Sequence, residues 1–144
     1  MRDLRLALPF GLVVVALASV GCGDGNDEGS ATTVETRKLI GTVGSTDDPD
    51  AYEISLTTED GSAVTTVLPP GEYVLEIDDL STIHNFHLGA RHEGVDVGTS
   101  VSGTGEKTAI VVLQDGEAYI YACDAHPARM NATFSIHGPI RTQN

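Results

Sequence analysis

From about residue 37 to residue 137 no stretch keeps a helical apolar period; short β-branched and aromatic runs alternate with polar residues and are broken by Gly, Pro, Asp and Asn. That rhythm points to an all-β sandwich of about seven to eight strands. The strand-like runs cover residues 37–43, 51–57, 63–68, 72–78, 83–89, 107–114, 118–123 and 131–137, with a short one around 95–97. Side chains two apart share a face of a strand. The sets Tyr52, Ile54 and Leu56, then Tyr73, Leu75 and Ile77, and then Tyr119, Tyr121 and Cys123 are each expected to lie on one face. In 83–89 the same parity puts His84, Phe86 and Leu88 inward and Asn85 and His87 outward. The run 107–114 reads as a buried strand.

The chain of 144 residues has room for one ordinary domain. Ahead of it, Arg2 and Arg5 precede an apolar run from Leu6 to Val20, the layout of a secretory leader. The run is shorter than the roughly 20 residues of a membrane-spanning helix. From Gly23 to Thr36 the chain is mostly Gly, Asp, Asn, Glu, Ser and Thr with almost nothing to bury, so a disordered acidic tether is expected over 22–36. The expected organisation is thus a leader over 1–21, a tether over 22–36 and the sandwich domain over 37–144. Acidic residues number 21 against 8 basic ones, for a net charge of −13. Nucleic acid and anionic lipid surfaces are poor partners for such a chain.

The leader ends in Leu17-Ala-Ser-Val-Gly-Cys22, which resembles the lipobox of bacterial lipoproteins, with Ser19 where that motif usually has Leu. The resemblance implies lipidation of Cys22 and a tether to the outer face of the cytoplasmic membrane or a periplasmic location; Ala16-Leu17-Ala18 alternatively offers a cleavage site for ordinary secretion. Only one other cysteine exists, Cys123. With Cys22 lipidated or removed, Cys123 is a lone thiol in an oxidising compartment, where occupation by a metal would protect it.

Cys123-x2-His126-x3-Met130 follows a strand-like run and places a thiol, an imidazole and a thioether in one loop. These donor types suit copper in a trigonal site with a weak axial sulfur. Such a site needs one more ligand, and His84, turned inward on its own run, is available. An immunoglobulin-like sandwich would also carry a Tyr two residues before a Cys, as Tyr121 stands before Cys123. It should add a core Trp and a second Cys on an earlier strand, and the chain has no Trp.

His84-Asn85-Phe-His-Leu88 followed by the Cys123-to-Met130 loop resembles the cupredoxin, or blue copper, family, most closely its plastocyanin- and amicyanin-like members. The resemblance implies a Greek-key sandwich and a single type 1 copper ion bound by His84, Cys123, His126 and Met130. It also implies a role for Asn85 in tying the ligand strand to the ligand loop. The function expected from it is one-electron transfer between redox partner proteins by an exported monomer, with the loop histidine as the electron route and no enzymatic activity. A cell-surface module for copper storage, delivery or sensing is the alternative, and a sandwich serving assembly or adhesion is a third. His87, His92 and His137 are expected at the surface or behind the ligands.

Overall fold

The computed structural model describes residues 36–92 and 94–139. The expected leader, Cys22 and all but the last residue of the expected tether lie outside the described residues. Most of the alternating runs form strands: β1 (Arg37–Val43), β2 (Ile54–Thr58), β3 (Val67–Leu68), β4 (Gly71–Asp79), β5 (His87–Ala90), β6 (Asp96–Gly98), β7 (Gly105–Leu113), β8 (Ala118–Ala122) and β9 (Asn131–Ile136). They build two sheets, in the orders β2-β1-β4-β7 and β3-β9-β8-β5-β6. Both sheets are mixed, since β1 runs parallel to β4, and β3 to β9, among otherwise antiparallel pairs. The expected all-β sandwich is what the chain adopts, with nine strands among the described residues, of which β3 and β6 are short.

The inward residues of the two sheets form a single apolar cluster. Leu39, Val43, Leu56, Tyr73, Leu75 and Ile77 of the first sheet join Leu88, Tyr119, Tyr121, Phe134 and Ile136 of the second. Burial of this kind contributes about 1.5–3 kcal/mol for each large side chain. One contact between the layers explains a glycine inside a strand. A Cβ on Gly41 of β1 would fall 2.6 Å from the Phe86 ring. Phe86 fills that gap and stacks on Tyr121 at 5.7 Å between centroids. It thereby fixes the backbone just after His84 and Asn85.

Three expectations need correction. The run 51–57 becomes a strand only from Ile54; Tyr52 lies in a bend, 44% exposed, because the turn that starts at Gly44 continues to Glu53, whose carbonyl accepts from Gly44 N at 2.9 Å. The run 83–89 is a strand only from His87, and Asn85 is buried beside His84, so strict alternation fails there. The run 107–114 is not buried on both faces. β7 is the edge of its sheet, with Val111 and Leu113 in the core and Ile110 and Val112 exposed at 67% and 55%.

Candidate metal centre

The chain leaves the first sheet at Asp79 and enters the second at His87, so residues 80–86 have no ladder to satisfy their backbone. A buried amide without a partner is costly, and Ser81 supplies the partners. Its buried Oγ accepts from His84 N at 3.1 Å and Ile83 N at 3.2 Å, and donates to Asp50 Oδ1 at 3.1 Å. Asp79 Oδ1 in turn accepts from Ser81 N at 3.1 Å, while Asp79 Oδ2 is buried without a partner. Burial pushes the Asp79 carboxyl above its ordinary range.

This frame holds His84 fully buried, 0% exposed. The carbonyl of Asp50 lies 3.1 Å from His84 Nε2 and can only accept, so Nε2 carries the proton. Nδ1 is left with its lone pair facing the Cys123 thiol. An imidazole fixed in this way, one nitrogen donating to a backbone carbonyl and the other bare, is the usual state of a metal-binding histidine.

The second half of the centre is the loop between β8 and β9. Cys123, also 0% exposed, donates from its amide to the Met130 carbonyl at 2.9 Å. His126 N donates to the Cys123 carbonyl at 3.1 Å, and Arg129 N and Met130 N both donate to the His126 carbonyl at 3.0 Å. The loop closes on its own backbone, with Met130 buried at its end and Asn131 opening β9.

The two halves meet in a triangle of donor atoms. His84 Nδ1 and His126 Nδ1 are 2.9 Å apart, and Cys123 Sγ lies 3.7 Å from the first and 3.8 Å from the second. A point equidistant from three atoms so spaced lies about 2.0 Å from each, close to the length of a bond from a first-row ion to imidazole. Two nitrogens and one sulfur also match the borderline and soft donors that copper takes. Among the described residues this is the one group of three such side chains with converging donor atoms.

Asn85 and Asp124, the residues after His84 and after Cys123, join the halves from behind. Asn85 Nδ2 donates to Asp124 Oδ2 at 2.7 Å and to the Thr99 carbonyl at 3.2 Å, and Asn85 Oδ1 accepts from Asp124 N at 2.8 Å. His87 continues the chain of contacts, with Nδ1 2.9 Å from Asp124 Oδ1 and Nε2 against Asp96. The Asp124 hydrogen bond leads in raising the His87 pKa, with Asp96 adding to it against the effect of burial. Burial pushes Asp124 up, but the hydrogen bonds from His87 and Asn85 outweigh it and hold the carboxyl below its ordinary range. His92 pairs with Glu117, 2.9 Å away at the surface.

Sequence reasoning missed Asp50, Ser81, Tyr52 and Arg129. Asp50 and Tyr52 come from the connection between β1 and β2, far from either ligand run, and no local spacing could have placed them. The Tyr52 ring lies 4.7 Å from the His84 ring and 5.0 Å from the His126 ring, edge-on to both, and the Arg129 guanidinium lies 4.0 Å over the Tyr52 ring.

No family model and no curated protein matches the chain. Among solved structures it is similar to reduced rusticyanin, at 16% identity and a TM-score of 0.49, covering 69% of this chain and 77% of that one. It is also similar to rusticyanin from Thiobacillus ferrooxidans, at 15% identity and a TM-score of 0.48, covering 69% and 75%. A third likeness is to a single-substitution rusticyanin variant, at 13% identity and 0.48, covering 69% and 76%. These scores lie below 0.5, so the chemistry of the centre is read from its own donors. His84, Cys123 and His126 fit one type 1 copper ion.

Proposed function

We propose that this protein holds one copper ion through His84 Nδ1, Cys123 Sγ and His126 Nδ1, with Met130 as the weak fourth ligand, and carries single electrons between redox partner proteins. The observation that supports this most strongly is the donor triangle, with its sides of 2.9, 3.7 and 3.8 Å. Copper, when bound, supplies a one-electron couple that thiolate and imidazole together can serve in both oxidation states.

The chain's own residues do the rest. The Asp50 carbonyl keeps the proton on His84 Nε2 and Nδ1 free to bind. Ser81 and Asn85 hold the two ends of the centre in a fixed relation, so little needs to move when charge changes. With four protein ligands no open position is left for a substrate, which favours a carrier over an enzyme. His126 lies on a partly exposed loop and offers the path for the electron.

The leader over 1–21, lipidation at Cys22 and the tether over 22–36 would place the 37–144 domain outside the cytoplasm as a membrane-anchored monomer. Recovery in the membrane fraction should be lost in Cys22→Ala; retention there would count against the anchor. The partial exposure of His126 also favours a second reading, copper storage or delivery at the cell surface, because an acceptor could displace that ligand. Repeated oxidation and reduction in the presence of a copper(I) chelator separates the two. A carrier keeps its copper through the cycles; release on the first reduction would overturn electron transfer in favour of delivery.

A further inference from the structure

The two histidines are held by different means. His84 is fixed by a hydrogen bond from Nε2 to a backbone carbonyl. The His126 ring makes its polar contacts through Nδ1, toward the other two donors, and among the described residues no hydrogen bond from its other nitrogen sets the tilt of the ring. Tyr52 lies against it instead. The rings of Tyr52, His84 and His126 form a closed set, with centroids 4.7, 5.0 and 4.7 Å apart and interplanar angles of 61°, 73° and 72°. These are favourable edge-to-face distances.

Tyr52 is itself 44% exposed, lies outside any strand, and its hydroxyl makes no hydrogen bond among the described residues. The phenol group therefore does not explain its position. Arg129 does, with its guanidinium 4.0 Å over the ring. Among the described residues no carboxylate lies within ion-pair distance of Arg129, although acidic residues outnumber basic ones 21 to 8. Arg129 belongs to the same loop as His126 and donates from its amide to the His126 carbonyl at 3.0 Å. The loop's own cation thus holds an aromatic ring from the opposite sheet's β1–β2 connection against the loop's own histidine.

We propose that Tyr52 and Arg129 act as a clip that positions the His126 ring and covers the exposed edge of the His84–His126 pair. This rests on the copper reading above for its consequence, though not for its geometry. With the clip closed, His126 cannot swing into solvent, and loss of the ion by that route is slowed. Tyr52 and Arg129 are positioning residues: neither is a ligand. The ring carries the effect and the hydroxyl does not.

The clip is tested first in the copper-free protein, by the ring-current shift of the His126 carbon-bound protons in NMR. The shift should be present in wild type and Tyr52→Phe, lost in Tyr52→Ala, and reduced in Arg129→Ala with recovery in Arg129→Lys. In the copper(I) protein, release to a chelator should accelerate about tenfold in Tyr52→Ala, the lower end for a lost contact behind a metal ligand, and stay at the wild-type rate in Tyr52→Phe. Because Tyr52 is exposed, its removal leaves the core intact. A wild-type shift and release rate in Tyr52→Ala would overturn the clip, as would a Tyr52→Phe variant that behaves like Tyr52→Ala. A wild-type protein whose copper(II) adduct is colourless would sink the copper reading alone, since the shift in copper-free protein judges the clip separately.

Discussion

The two imidazoles of the centre are chemically alike and structurally opposite. His84 is fully buried on the connection from β4 to β5, with one nitrogen bonded to Asp50, its amide bonded to Ser81, and its neighbours Asn85 and Phe86 locked into the second sheet and the core. His126 stands on a loop that closes on its own backbone, with a partly exposed ring that leans on Tyr52. One histidine is thus part of the fold, and the other is mounted on it. In a centre built this way the inner imidazole takes its geometry from the fold and the outer one reaches toward the surface.

The largest expected effect separates the two directly. In His126→Gly, added imidazole should enter from solvent and restore the thiolate-to-copper(II) absorption; in His84→Gly it should not, because that position is sealed. Rescue of both variants alike would break the contrast. A second comparison concerns the frames behind them. Asn85→Ala removes three hydrogen bonds, two of them to Asp124 across the two halves and one to the Thr99 carbonyl, and should lower stability by about 2–3 kcal/mol in chemical denaturation of the copper-free protein. Asn131→Ala removes one exposed bond, to the Pro127 carbonyl within the loop, and should cost only about 0.5–1 kcal/mol. Equal losses would mean that the outer loop is as much a part of the fold as the inner arm.

The smallest effect is a pH dependence. His87 has its pKa raised above 6.5 in the folded protein, so its contribution is fully present below pH 6.5 and disappears as pH rises through the folded value. Wild type should therefore lose stability relative to His87→Gln as pH rises above 6.5, by less than about 1 kcal/mol since solvent screens so exposed a pair. A difference of the opposite sign would show that His87 does not act through Asp124 and Asp96.

Much of the fold was legible because alternation is a local signal. β1, β4, β8 and β9 lie within a residue or two of the runs that announced them. Sheet order is not local, which is why the apolar run ending at Leu113 looked buried although β7 is an edge. The inward position of His84 was legible for a partly mistaken reason. Parity assumed a strand through 83–89, yet the segment before His87 is held by the Ser81 and Thr99 side chains and, at the buried Asn85, by the Thr99 carbonyl and Asp124. The loop spacing of Cys123, His126 and Met130 was plain. Its period placed Tyr52 on one strand face with Ile54 and Leu56, and the turn after Gly44 instead delivers it to the two imidazoles.

Binding of one copper ion by His84, Cys123 and His126 through a thiolate is read out by the visible spectrum on titration with copper(II). An intense blue or green charge-transfer band should appear, saturate at one equivalent and be absent in Cys123→Ser. A colourless adduct of the wild-type protein, or the same band in Cys123→Ser, would contradict it.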